Sequence, residues 1–217
     1  MPNKTSAPAR ARKIQLILFD VDGVLTDGKI WIFPAPSVVE TRLAASPAQS
    51  GPDLSAQHAG HGGFGFQSAS LIEAKGFHAH DGAAISLARL AGLKTGVITK
   101  RVSETVALRA RDLKMDHVYQ GIQDKLTVFR QILEKDGITA AEAAFVGDDV
   151  IDLPVMRKCG FAVAVKNART EVKAEAHWVT PHAGGDGAAR DAIEYILKAQ
   201  GRWKRAVGEY ISERSPK

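Results

Sequence analysis

The chain alternates short apolar runs with segments of helical periodicity. Its first run, 14–19, is continuously apolar, which is typical of a strand covered on both faces. Repeated strand–helix alternation predicts an α/β protein with a doubly wound, mostly parallel sheet and helices on both sides. The patterns predict further strands at 95–99, 117–120, 144–146, 161–165 and 177–180, and helices at 83–91, 102–113, 124–135, 152–158 and 187–200.

One stretch, 34–69, interrupts this alternation. It is rich in Pro, Gly, Ala and Ser and has almost no periodicity, so it offers little apolar surface to bury. We expect a disordered insertion there, with the flanking segments 28–33 and about 70–75 paired as a β-hairpin after the first strand. The remaining pattern predicts one domain over 14–201 and leaves no room for a large cap domain.

Composition and charge narrow the class of protein. The 217 residues are 45% hydrophobic and 24% charged, which excludes a wholly disordered or collagenous chain. The net charge of +5 is concentrated in 1–13 and 198–217, so we expect flexible basic tails at 1–13 and 202–217 and no nucleic-acid partner. No apolar run is long enough for a membrane span, and the single cysteine suits a reducing compartment, so we expect a cytoplasmic protein.

Carboxylates follow two of the predicted strands. Asp20 and Asp22 come directly after the first strand, and Asp148, Asp149 and Asp152 follow the strand at 144–146. The carboxyl ends of parallel strands form the ligand crevice of such sheets, so both groups are expected at one edge. Gathered carboxylates repel one another without a cation, and Mg²⁺ prefers oxygen ligands. For Asp149 and Asp152, capping of the next helix is an alternative role.

Two further residues occupy comparable positions. Thr99 ends the strand at 95–99, and Lys125 begins the helix at 124–135. A hydroxyl and an ammonium group aimed at a metal-bound phosphoryl group supply the charge stabilisation that phosphoryl transfer requires. The order of Asp, Thr, Lys and Asp-Asp along the chain therefore indicates phosphoryl-transfer chemistry.

In these motifs the chain resembles the haloacid dehalogenase-like hydrolases. Within that superfamily it is similar to the 3-deoxy-D-manno-octulosonate 8-phosphate phosphatase family, and the resemblance covers about 14–33 and 70–201. Five motifs in order carry the resemblance: DVDGVLTDG at 20–28, KxFxxxDG at 75–82, YQGxxDK at 119–125, GDDVIDLPVM at 147–156 and GGxGAxR at 184–190.

The resemblance implies a Rossmann-like, capless fold, a homotetramer and an Mg²⁺-dependent phosphomonoesterase. By this resemblance, Asp20 is the nucleophile that forms an aspartyl-phosphate, and Asp22 is the general acid and then the base. The implied magnesium ligands are the Asp20 carboxylate, the Asp22 backbone carbonyl and Asp148, with Asp149 in the outer sphere. Thr99 and Lys125 are implied to bind the phosphoryl oxygens. The implied substrate-binding residues are Asp22, His78, Ala79, His80, Asp81, Gly82, Arg101, Arg109 and Lys125.

The chain departs from the family pattern at four positions. Lys100 replaces a glycine, His80 stands at the position of the family's basic residue before Asp-Gly, and Ser86 and Asp186 stand where the family has arginines. These departures leave a related nine-carbon sugar-acid phosphate, or another phosphosugar, as an alternative to the octulosonate ester. Two alternatives belong to other classes of protein: a receiver-like signalling domain, and a non-catalytic relative that keeps the fold as an interaction surface.

Overall fold

A computed structural model describes residues 6–34 and 71–212 of the chain. Most of the predicted insertion at 34–69 lies outside these residues, as do both chain ends. No helix in the two described ranges has the length and apolar character that a membrane crossing requires.

The described residues form eight strands and eight α-helices. In chain order the strands are β1 (Leu16–Phe19), β2 (Trp31–Pro34), β3 (Leu71–Ala74), β4 (Lys94–Ile98), β5 (His117–Tyr119), β6 (Ala143–Gly147), β7 (Phe161–Ala164) and β8 (Trp178–Val179). The helices are α1 (Ala7–Ala11), α2 (Ala79–Leu90), α3 (Glu104–Asp112), α4 (Lys125–Asp136), α5 (Leu153–Met156), α6 (Thr170–Glu175), α7 (Ala188–Ala199) and α8 (Trp203–Ser212).

Six strands form one parallel sheet in the order β5-β4-β1-β6-β7-β8. This confirms the predicted α/β architecture. Strand β1 is at the centre, and all four of its residues are buried, as its continuous apolar run predicts. Phe19 is opposite both Val97 and Val146, so the three central strands end at the same level. Asp20, Thr99 and Asp148 follow β1, β4 and β6 at that common edge.

The second sheet is the antiparallel hairpin of β2 and β3, in which Trp31 is opposite Ala74. It confirms the hairpin expected after the first strand. The hairpin is unusual in exposing apolar side chains: Trp31 is 55% exposed, Phe33 49% and Ile72 46%. Large aromatic groups clustered in this way are typical of a surface that another protein covers.

The chain ends require a correction to the predicted domain boundaries. Parts of 1–13 and 202–217 are helices packed on the core rather than flexible tails, since Ala11 and Ala206 are buried. Arg10 donates to the carbonyl of Gly160 at 2.9 Å, and Gln200 Nε2 donates to the carbonyl of Ile14 at 2.6 Å. In the sequence, the many charged residues near the two chain ends obscure the small apolar residues that recur there at helical spacing. The folded unit therefore begins no later than α1 and includes α8.

Helix α2 also differs from its prediction, because it begins at Ala79 rather than at residue 83. His78 is its N-cap and accepts a hydrogen bond from the backbone of His80. The predicted substrate segment at 78–82 is consequently a helix start and not a loop. Gly82 is unfavourable in a helix, so the sequence pattern does not predict this first turn.

Candidate active site

Asp20 lies at the end of β1 and is the centre of the site. Its backbone N–H donates to the carbonyl of Val146 at 3.0 Å, and the residue is only 4% exposed. Lys125, the first residue of α4, reaches it from the side: Lys125 Nζ is 2.9 Å from Asp20 Oδ1 and 2.7 Å from Asp152 Oδ1. The side chain of Asp124 caps α4 and fixes the start of that helix. A buried ammonium group is thus held between two carboxylates.

Asp148, at the end of β6, completes the carboxylate cluster. Ligand atoms of Asp20, Asp148 and Asp152 all lie within 4.8 Å of one another. Gly23 makes this approach possible, since a Cβ there would lie 2.2 Å from Asp148 Oδ2. Gly23 also has a φ of +93°, a conformation that favours glycine. The DVDG turn therefore needs its glycine both for the backbone and for the room it leaves to Asp148.

The electrostatics of this cluster favour a cation. Burial, reinforced by the charge of Asp20, raises the pKa of Asp148 to about 7. Burial also raises the pKa of Asp20 to about 6, against the attraction of Lys125. Burial alone would lower the pKa of Lys125, but Asp20 and Asp152 more than offset it and the net pKa is raised. One ammonium group does not balance three carboxylates, and Asp148 Oδ1 is buried without a hydrogen-bond partner in the described residues.

The structure brings Asp152 into this cluster and leaves Asp149 outside it. Asp149 is exposed, and its Oδ1 accepts from the backbone of Val150 at 2.6 Å, so it caps the 3-10 turn at 150–152. Asp152 is fully buried, and its Oδ2 accepts from the backbone of Asp148 at 3.1 Å. The outer-sphere role implied for Asp149 stays a prediction, and its side chain lies outside the group formed by Asp20, Asp148 and Asp152. Asp152 holds Lys125 and the Asp148 backbone in place.

Asp22 belongs to a second group of charges, next to the first. Its Oδ1 contacts the Nζ of Lys75, and its Oδ2 is 3.7 Å from Arg101 Nε. Arg101 Nη2 in turn donates to Glu73 Oε2 at 2.9 Å. Glu73 and Lys75 lie at the base of the hairpin, so the hairpin is joined directly to Asp22. Of the predicted site residues, the structure brings Arg101 to Asp22.

Comparison with known proteins decides the family of this site. The haloacid dehalogenase-like hydrolase family matches residues 101–191. The 3-deoxy-D-manno-octulosonate 8-phosphate phosphatase of Escherichia coli K12 is 34% identical over 210 residues, which cover 97% of this chain and 93% of that protein. The chain belongs to this phosphatase family. It is accordingly a phosphoric monoester hydrolase, as the resemblance predicted.

Solved structures of family members show the same fold. The phosphatase of Moraxella catarrhalis, crystallised with a magnesium ion, a phosphate ion and a KDO molecule, has a TM-score of 0.75 and 29% identity over 96% of this chain and 99% of that one. The phosphatase of Yersinia pestis has a TM-score of 0.72 and 30% identity, with coverage of 91% and 88%. The described residues therefore retain the phosphatase fold.

The remaining predicted residues have different local environments. Thr99 is buried and follows β4, the neighbour of β1. Arg109 packs against the first turn of α2, where a Cβ on Gly82 would lie 2.3 Å from Arg109 Nη2. Ala79 and His80 are exposed at the start of that helix. His80 and Asp186 both line a cleft of about 560 Å³ beside α7.

Asp81 has a structural connection that the sequence does not reveal. It is 3% exposed, and its Oδ1 accepts from the backbone N–H of Arg190 at 2.8 Å, so it caps α7 from the first turn of α2. Burial raises the pKa of this carboxyl. The glycine pair at 184–185, just before α7, packs against the DVDG loop. The backbone N–H of Gly185 donates to the carbonyl of Val24 at 3.0 Å. Asp81 thus helps to hold the segment that contacts the DVDG loop.

Sequence reasoning missed three charged residues of the site: Lys75, Glu73 and Asp152 as a partner of Lys125. The available signal for Lys75 was its place as the first residue of the KxFxxxDG motif. Asp152 was visible in the GDDVID cluster, but capping accounted for it equally well. Glu73 had no signal, because a single glutamate in a strand is ordinary.

Proposed function

We propose that the chain hydrolyses 3-deoxy-D-manno-octulosonate 8-phosphate to the free sugar acid and phosphate, with Mg²⁺ as cofactor and an aspartyl-phosphate intermediate. The observation that carries this proposal is the buried Asp20 carboxylate, paired with Lys125 and within reach of Asp148, at the end of the central strand. Family relatives with that substrate in their names support the choice of ester.

The carboxylate cluster fits a hard divalent cation. Its donors are oxygen atoms, they are buried together, and one oxygen of Asp148 has no hydrogen-bond partner in the described part of the chain. Asp20, Asp148 and the Asp22 carbonyl would hold the ion, with Asp152 fixing Asp148 and Lys125 from behind. When bound, Mg²⁺ supplies positive charge to the phosphoryl oxygens.

In the proposed reaction, each of four residues has a separate role: Asp20, Asp22, Thr99 and Lys125. Asp20 attacks phosphorus, while Lys125 and Thr99 bind the phosphoryl oxygens and offset their charge. The leaving alkoxide takes its proton from Asp22, which stands two residues along the same loop. In the second step of the reaction, water attacks the phosphorus of the aspartyl-phosphate, and Asp22 accepts a proton from that water.

The part of the substrate that is not transferred is an anionic sugar acid. We propose that Arg101 and Arg109, with the segment at 78–82, bind it. Arg101 pairs with Glu73 and Asp22, and it is 23% exposed, so one edge of its guanidinium group is available. Lys100, His80, Ser86 and Asp186 change the charge pattern around this pocket, so a related nine-carbon sugar-acid phosphate is the competing substrate.

A comparison of esters tests this assignment. We expect kcat/KM for 3-deoxy-D-manno-octulosonate 8-phosphate to exceed that for glucose 6-phosphate by at least about 100-fold, because one buried charge-assisted contact to the sugar carboxylate contributes about 1.5–3 kcal/mol and two cations are available. Phosphate release is measured for both esters and for a nine-carbon 2-keto-3-deoxy sugar-acid 9-phosphate. A preference for the nine-carbon ester contradicts the octulosonate assignment, and equal rates on all three contradict recognition of the sugar acid.

The exposed hairpin supports an assembly proposal. We propose that the chain forms a homotetramer in the cytoplasm, in which the apolar side chains of Trp31, Phe33 and Ile72 are covered by neighbouring subunits. Sedimentation equilibrium of the purified protein measures this directly. We expect the mass of four chains, and a monomer at micromolar concentration contradicts the proposal.

A further inference from the structure

Lys75 is a buried cation to which the mechanism above gives no role. It follows β3 at the base of the hairpin, and none of its side chain is exposed. A lysine is rarely buried unless a carboxylate balances its charge. Here two do so: Lys75 Nζ contacts Asp22 Oδ1 and lies 3.7 Å from Glu73 Oε1. The buried ammonium group is therefore balanced by Asp22 and Glu73, and Asp22 is the nearer of the two.

The contact is part of a closed ring of alternating charges. Lys75 joins Asp22 to Glu73, and Arg101 joins the same two carboxylates from the other side. Both oxygens of Asp22 are thus oriented by cations. Arg101 is 23% exposed and has an edge that a ligand can reach, whereas Lys75 has no surface for a substrate to touch. Lys75 is therefore the cation of the ring that contacts Asp22 but is not accessible to a substrate.

We propose that Lys75 is the positioning residue for Asp22: it aims the carboxyl group at the leaving oxygen and balances its charge after the proton has left. The inference rests on the proposed function, in which Asp22 is the general acid. As the ester P–O bond breaks and Asp20 takes the phosphoryl group, the proton of Asp22 passes to the alkoxide. The attacking water later returns a proton to Asp22, and Lys75 itself exchanges none.

Two esters separate this role from substrate binding. An alkyl ester such as glucose 6-phosphate needs a proton on its leaving oxygen, whereas p-nitrophenyl phosphate releases a stable phenolate, and neither ester carries the sugar-acid carboxylate that Arg101 and Arg109 are proposed to bind. General acid catalysis contributes roughly 10²–10⁴-fold, so we expect Lys75→Met to lower kcat/KM for the alkyl ester by about 10–100-fold. For p-nitrophenyl phosphate we expect a loss of less than about threefold, because its transfer to Asp20 needs little acid assistance.

The structure offers a matched control on the same hairpin. Lys29 lies just before β2, its side chain is 68% exposed, and it pairs only with Asp27 in the described residues. We expect Lys29→Met to leave both esters unchanged. Lys75→Arg keeps the charge and should recover part of the alkyl-ester rate. The inhibition constant of inorganic phosphate should stay unchanged in Lys75→Met, because the phosphoryl site at Lys125 is intact.

Equal losses on the two esters, a weakened phosphate inhibition constant, or no loss at all would each overturn the proposal. If Lys75→Met no longer melts cooperatively, Glu73→Gln takes its place: removing the second partner of Lys75 should lower the alkyl-ester rate selectively, and an unselective loss overturns the proposal. Failure of the unmodified protein to hydrolyse the octulosonate ester overturns the proposed function itself, and that result is obtained before any variant is made.

Discussion

Asp20→Asn is expected to lower kcat by at least ~10³-fold, because an amide cannot form the phosphoenzyme. The fold should survive, since the amide has the same shape and keeps an oxygen for Lys125, which lies 2.9 Å from Asp20 Oδ1. Burial raises the pKa of Asp20 to about 6, so the ionised carboxylate is costly in the metal-free protein. The variant without metal should therefore melt no lower than the unmodified chain.

The measurement is phosphate release at saturating substrate and Mg²⁺, together with a thermal melt. Asp112→Asn is a control for the same substitution at an exposed aspartate, which lies at the end of α3. An acid quench during turnover should find a phosphoryl group on the unmodified chain and none on the Asp20 variant. Near-normal turnover by Asp20→Asn would exclude the covalent mechanism.

Removal of divalent metal is expected to reduce activity by at least about 100-fold, because a bound cation contributes several kcal/mol of charge stabilisation to phosphoryl transfer. Addition of Mg²⁺ should restore the rate, which also shows that the chelator has not damaged the protein. Elemental analysis before and after chelation gives the metal content. Full activity in protein that contains no metal would refute the assignment of the carboxylate cluster.

The same cluster makes metal binding depend on pH. The pKa of Asp148 is raised to about 7 and that of Asp20 to about 6, both above the ordinary aspartate range. Below those values the folded, metal-free protein carries extra protons, so it loses stability relative to the unfolded chain as pH rises from about 4 to 7. Mg²⁺ must displace these protons, and it relieves the repulsion above pH 7. Its stabilisation of the melting temperature should therefore be larger at pH 8 than at pH 6, and the reverse order would contradict this origin.

The sheet was predictable because each of its central strands is a short run of apolar residues. The site was predictable in part for the same reason: Asp20 and Asp148 directly follow such strands, and the structure shows that β1 and β6 end together. The choice between Asp149 and Asp152 was not predictable. It depends on a 3-10 turn that directs Asp152 inward and leaves Asp149 at the surface.

The contact between Lys75 and Asp22 depends on a longer-range feature of the fold. Lys75 reaches Asp22 only because β2 and β3 pair across the intervening segment, and no local pattern shows which carboxylate a buried lysine will meet. The helices at the two chain ends escaped prediction for a different reason. The basic residues at both ends dominate the composition there, and their charge masks the helical spacing of Ala206 and its neighbours.

The central position of β1 has a consequence for synthesis on the ribosome. Its hydrogen-bonding partners are β4 and β6, so both of its edges stay unpaired until residues 94–98 and then 143–147 have emerged. The contacts of the DVDG loop form later still, because the glycine pair that supports the loop is at 184–185. Long-range pairing of this kind is slow and leaves apolar strand edges exposed in partly made chains. Asp20 is therefore translated before the other predicted site residues and is among the last of them to reach its final environment. We expect nascent chains of this protein to be prone to aggregation for most of their synthesis.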